Sequence, residues 1–101
     1  MRSGSGIVYL LHFNQPFHHA RHYVGFCESD LARRINLHRR GQSGAKLMAA
    51  LKRAGISFTL ARTWIGDRDF ERKLHKRHNS PARLCPLCRG CKPQLEHETA
   101  A

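Results

Sequence analysis

The sequence predicts a small α+β domain, a three-stranded antiparallel sheet flanked by three helices in the order β-β-α-α-β-α. Three observations carry this. Two short runs, 6–13 and 20–27, are rich in β-branched and aromatic residues, with a turn-forming Asn14-Gln15-Pro16 between them. Two stretches with apolar residues at helical spacing come next, each closed by a glycine, Gly41 and Gly55. A third run, 56–65, alternates at period two and leads into a last amphipathic stretch.

In the first run Ile7, Tyr9, Leu11 and Phe13 share one face and Val8, Leu10 and His12 the other. Both faces are largely apolar, which predicts a central strand. In the second run Tyr23 and Gly25 face one way, Val24 and Phe26 the other. Ser29 is the expected N-cap of the first helix, with Asp30 in its first turn and Gly41 at its end. Arg34 and His38 fall within about 60° of Leu31 on that helix, on or beside the apolar stripe of Leu31 and Ile35, while Arg33 and Arg40 point to solvent. Ser43 is the expected cap of a second helix reaching Ala54, with Leu47, Leu51 and Ala54 as its stripe. In the third strand Ile56, Phe58, Leu60 and Trp64 oppose Ser57, Thr59, Ala61 and Thr63. Asp67 caps a third helix to about His78; Glu71 flanks its Phe70–Leu74 core face and Asp69 lies on the other side. Ser80-Pro81 ends it. The chain thus divides into a folded domain, 1–79, and a basic Cys-rich tail, 80–101.

Charge narrows the function. Eighteen Lys and Arg against seven Asp and Glu give a net charge of +11. Such a balance favours a polyanionic partner, and the spread of basic residues over the whole chain favours nucleic acid over a lipid surface. No apolar run approaches the roughly 20 residues that span a bilayer. Met-Arg-Ser-Gly-Ser-Gly has no apolar core of a secretion signal, so a cytoplasmic location is expected. A hard-metal site must draw its carboxylate from Glu28, Asp30, Asp67, Asp69 or Glu71, the acids of the folded region.

Gly6-Ile7-Val8-Tyr9 and Tyr23-Val24-Gly25, one in each of the first two predicted strands, precede Asp30-Leu31-Ala32-Arg33-Arg34 and His38, and later Glu71 in a basic helix. This ordered set resembles the GIY-YIG nuclease family over about residues 6–79, with Val8 intervening in the first tripeptide. Gly44-Ala45-Lys46 is similar to a segment of its small stand-alone bacterial members. The resemblance implies a metal-dependent endonuclease hydrolysing DNA phosphodiester bonds. It implies that Tyr9 is the general base or water-positioning group, with Tyr23 beside it, and that Glu71 binds Mg²⁺ or Mn²⁺. Arg33, Lys46 and Asn79 are then DNA-binding positions, Asn79 as the polar residue that closes the site.

The residue types suit that chemistry. Arg34 can hold a phosphate by bidentate hydrogen bonds. One carboxylate can hold a divalent ion whose other positions go to water and phosphate oxygens. A free phenol titrates near pH 10, so Tyr9 as a base needs Arg34, His38 or a metal to lower its pKa. Each residue also admits a plain structural role: tyrosines in the core, a satisfied semi-buried His38, a Glu71 paired along its own helix or to an arginine.

Cys85-x-x-Cys88-x-x-Cys91 is the second constellation. It resembles one zinc knuckle, and tetrahedral zinc would take its fourth ligand from Cys27, His78, His97 or a second chain. Reduced thiols or a redox-sensitive cluster are the competing reading. His18, His19 and His22 show no ligand pattern and read as a basic or DNA-facing loop. Two functions compete with the nuclease: a non-catalytic nucleic-acid-binding module of the same fold, and a zinc-dependent interaction module centred on the tail. The sequence has no appended recognition domain long enough to read a DNA site; either the loops 14–19 and 40–46 set a preference for branched, nicked or flapped DNA, or a protein partner supplies specificity.

Overall fold

The computed structural model describes residues 6–18, 20–76 and 84–95. Its elements are β1 (Gly6–Phe17), β2 (Ala20–Cys27), α1 (Leu31–Arg40), α2 (Lys46–Ala54), β3 (Phe58–Gly66), α3 (Arg68–Lys76), a 3₁₀ turn (Leu87–Arg89) and β4 (Gln94–Leu95). The class is α+β with three helices, but the sheet differs from the expected one. It has four strands in the order β2-β1-β3-β4 and is mixed: β1 pairs antiparallel with both neighbours, while β4 runs parallel to β3. The fourth strand comes from the tail. It is two exposed residues long, too short for any periodic signal.

β1 is the central strand, and both its faces are covered. Tyr9, Leu11 and Phe13 join Leu31, Ile35, Met48, Leu51 and Phe58 in one core cluster, roofed by α1 and α2. Val8 and Leu10 join Val24, Phe26, Ala61, Leu74 and Cys85 in a second cluster on the opposite face, under α3 and the tail. The strand also runs longer than expected. Asn14-Gln15-Pro16 continues it past a register shift, and the chain reverses at His18, which adopts a left-handed φ of 55°. These three residues are exposed, a place where proline is tolerated because a missing ladder bond costs little.

β3 does not alternate cleanly. Leu11 pairs with Leu60 but Leu10 pairs with Arg62, so Ala61 is an extra residue in β3. This bulge reverses the facing of the β3 residues beyond it. Phe58 and Leu60 pack with the first cluster, whereas Trp64, expected beside them, packs with the second.

Helix boundaries differ in two caps. Asp30, not Ser29, caps α1: its carboxylate accepts from the Arg33 N–H at 3.2 Å while its backbone is left-handed. Ser43 does not cap α2, whose N-cap is Ala45 with no side-chain bond. Asp67 does cap α3, accepting from the Phe70 N–H at 3.0 Å. At the end of α1, Gly41 (φ 71°) closes the helix with bonds from Gly41 N to His38 O and Gln42 N to Leu37 O, a tight reversal that brings Ser43 back over the last turn. Among the described residues no helix is long and apolar enough to cross a membrane.

Ala61 is fully buried and Ile65 is 60% exposed. Replacing Ala61 by Leu is therefore expected to destabilise by about 1–3 kcal/mol through overpacking. Ile65→Thr should stay within about 0.5 kcal/mol, both read by urea denaturation.

Candidate functional site

The centre of the first face is a hydrogen-bonded chain. Tyr9 Oη lies 2.7 Å from His38 Nε2, and His38 Nδ1 lies 2.7 Å from Ser43 Oγ. Tyr9 and His38 are each 1% exposed. Tyr9 reaches α1 because β1 aims it at that helix, and Gly25 leaves the space: a Cβ there would strike the Tyr9 ring and hydroxyl. Tyr23 completes a ring cluster, its centroid 6.4 Å from Tyr9 and 5.2 Å from His38.

Electrostatics set the protonation states. Burial pushes the Tyr9 phenol well above its ordinary range, and the nearby Tyr23 adds to this while Arg34 opposes it. Burial likewise raises Tyr23, helped by Glu71 and opposed by Arg34. Burial, and then the Arg34 charge, holds His38 down to about 4. The resting state is thus a protonated phenol beside a neutral imidazole. A neutral imidazole donates at one nitrogen and accepts at the other. With Tyr9 O–H donating to Nε2, Nδ1–H donates to Ser43 Oγ. The sequence-based condition is that Arg34, His38 or a metal lowers the phenol; of these Arg34 pulls that way, but burial outweighs it.

The other predicted residues differ in exposure. Arg34 is half-buried, and Arg33, Arg40 and Lys46 are exposed. Glu71, half-buried on α3, acts electrostatically on both phenols although α3 packs mainly on the opposite face. Asn79 lies outside the described residues. Two residues escaped sequence reasoning. Ser43 was read as a cap. Arg68 lines a polar pocket with Arg34, Phe26, Cys27, Glu28 and Ser29, its guanidinium 4.9 Å from the Phe26 ring centroid. As the first helical residue after the Asp67 cap it carried no inward-facing signal.

A second group lies on the other face. His12 and His22 are cross-strand partners on β1 and β2, with ring centroids 5.3 Å apart. Cys85 and Cys88 approach them from the tail, and these four side chains could hold a metal ion. Cys91 and Cys27 are not members of this group, which shares Cys85 and Cys88 with the expected Cys85–Cys88–Cys91 set. His78 and His97, the other proposed ligands, lie outside the described residues. A signal did exist: a histidine at the end of each apolar alternation, Val8-Leu10-His12 and Phe26-Val24-His22, places imidazoles on a buried face.

Comparison with protein-family models, curated proteins and solved structures gives no match.

Because His38 binds a proton more weakly when folded (about 4) than when unfolded (about 6.5), its protonation opposes folding. Its stabilising contribution is complete above about pH 6.5 and is lost as the pH falls toward 4. NMR titration of the His38 ring should show a neutral imidazole at pH 6 and a midpoint near 4. Gly25→Ala should displace Tyr9, destabilise by about 1–3 kcal/mol and release that depressed titration.

Proposed function

We propose that this chain is a metal-dependent DNA endonuclease of the GIY-YIG type. The single observation that carries the reading is the Tyr9–Tyr23–His38 ring cluster, on whose phenols the charges of Arg34 and Glu71 act. β1 and β2 supply the two phenols, α1 supplies Arg34 and His38, and α3 supplies Glu71, whose charge acts on both phenols. The net charge of +11 supports a polyanionic substrate.

In this reading Arg34 and Arg68 receive the scissile phosphate in the polar pocket they share. Glu71 would hold one Mg²⁺ or Mn²⁺, which needs only one or two carboxylates when phosphate oxygens and water fill its other positions. Bound there, the ion supplies charge neutralisation at the phosphate and a more acidic water. Tyr9 Oη takes the proton of the attacking water as its own proton passes to His38 Nε2. The weak basicity of His38 keeps that proton moving: Nδ1–H releases to Ser43 Oγ, and the Ser43 hydroxyl releases to solvent. Water oxygen bonds to phosphorus, the phosphorus–ester bond breaks, and the leaving oxygen is protonated by solvent. The donor set His12, His22, Cys85 and Cys88 fits zinc instead, since two thiolates and two imidazoles are softer than the ligands Mg²⁺ prefers.

One observation favours the binding-only alternative. Tyr9 is buried and held protonated, as a purely structural tyrosine would be. Incubation with supercoiled plasmid separates the two. The nuclease reading expects nicking with Mg²⁺ or Mn²⁺, none in chelator, and losses of about 10²-fold or more for Glu71→Gln and Arg34→Ala. Cleavage that is absent, or that survives both substitutions, contradicts it. Arg33→Ala and Lys46→Ala should instead weaken DNA binding and lower the log–log salt slope by about 1 each.

A further inference from the structure

We infer that His12, His22, Cys85 and Cys88 form a closed structural zinc site that staples the tail to the β1–β2 hairpin, on the face of the sheet opposite the Tyr9–His38 pair. This goes beyond the nuclease reading and stands whether or not the chain cuts DNA.

The geometry fits a tetrahedron. Zn–S bonds of about 2.3 Å and Zn–N bonds of about 2.05 Å at tetrahedral angles put the ligand atoms about 3.3–3.8 Å apart. His12 Nδ1 lies 3.4 Å from Cys85 Sγ and 3.6 Å from Cys88 Sγ, and Cys88 Sγ lies 3.3 Å from His22 Nε2. All four ligand atoms fall within 4.8 Å of one another. The turn carrying the thiols is built for the task. Arg89 N and Cys91 N both donate to Pro86 O, at 3.0 and 2.9 Å, and Gly90 takes a left-handed φ of 77°. That knuckle turns Cys85 and Cys88 to the same side. Cys91 is turned away, its Sγ 3.9 Å from Arg89 O.

Four protein ligands leave no open position, so the site is structural rather than catalytic. Its consequence is mechanical. Among the described residues the tail is otherwise held by the fully buried Cys85 and Pro86, by Leu84 and Leu87 against the second core cluster, by Arg62 donating to Leu84 O at 3.2 Å, and by two ladder positions of β4 on β3. Cys91 to Leu95 are exposed throughout. A bound ion cross-links residues 73 and 76 positions apart in sequence, which removes chain entropy from the unfolded state. It also delivers Gln94–Leu95 to the free edge of β3, which would otherwise present unpaired backbone groups.

The test uses the full chain purified under reducing conditions. Elemental analysis should give about one zinc per chain for the wild type and for Cys91→Ser. Cys88→Ser and His22→Asn should fall several-fold below that. Cobalt exchanged into the wild type should show tetrahedral d–d absorption with a thiolate charge-transfer band, and a chelator should lower the Tm. A wild type with far less than one zinc and no such cobalt spectrum overturns the inference, as does Cys91→Ser losing metal like Cys88→Ser. None of these readouts involves DNA cleavage. An inactive protein that holds zinc would refute the nuclease alone, and an active one without zinc would refute the staple alone.

Discussion

The alternation of side chains along β1 is the constraint on which the rest depends. Tyr9 and His12 are three residues apart and therefore face opposite ways. Because β1 is paired on both sides and buried on both faces, a one-residue slip would exchange every one of its side chains between two differently shaped cores. The register that packs Leu11 and Phe13 under α1 and α2 also aims Tyr9 at His38. The same register puts His12 opposite His22, facing the tail. One strand thus supplies a member to each candidate site and keeps the two apart by the thickness of the sheet.

The Tyr9–His38–Ser43 chain shows what burial does to polar groups. Each buried side-chain polar atom among the described residues has a partner, so the network carries no unsatisfied group. The low dielectric that strengthens these bonds also penalises charge on either ring. Burial therefore moves both pKa values away from neutrality in opposite directions. Such a pair is a poor reservoir for a resting phenolate. The charges of Arg34 and Glu71 act on the phenols in opposite senses, Arg34 lowering and Glu71 raising their pKa values.

Much of this was legible in the sequence, and the rest was hidden for physical reasons. The order of the first six elements came from period-two and period-3.6 patterning, and the inward lean of Arg34 and His38 came from their spacing to Leu31 and Ile35. The bulge at Ala61 left no trace, because an alanine fits either face, and it moved Trp64 to the other core. Asn14-Gln15-Pro16 read as a turn because its composition is that of a turn, yet an exposed strand end accepts it. Ser43 and Arg68 act through neighbours that only the folded backbone brings near. The cysteine pair was visible as a motif, but its histidine partners lie more than sixty positions earlier in the chain, and nothing local connects them.

The proposals together require two ions of different character at two separate sites, one at Glu71 of α3 and one within the His12, His22, Cys85 and Cys88 group. Anomalous diffraction from crystals soaked with Mn²⁺ and a short phosphodiester oligonucleotide would locate both in one experiment. The expected result is a zinc-edge peak within bonding distance of His12, His22, Cys85 and Cys88, and a separate manganese-edge peak at Glu71 beside a phosphate held by Arg34. A manganese peak absent from Glu71, or both metals at a single site, would contradict it.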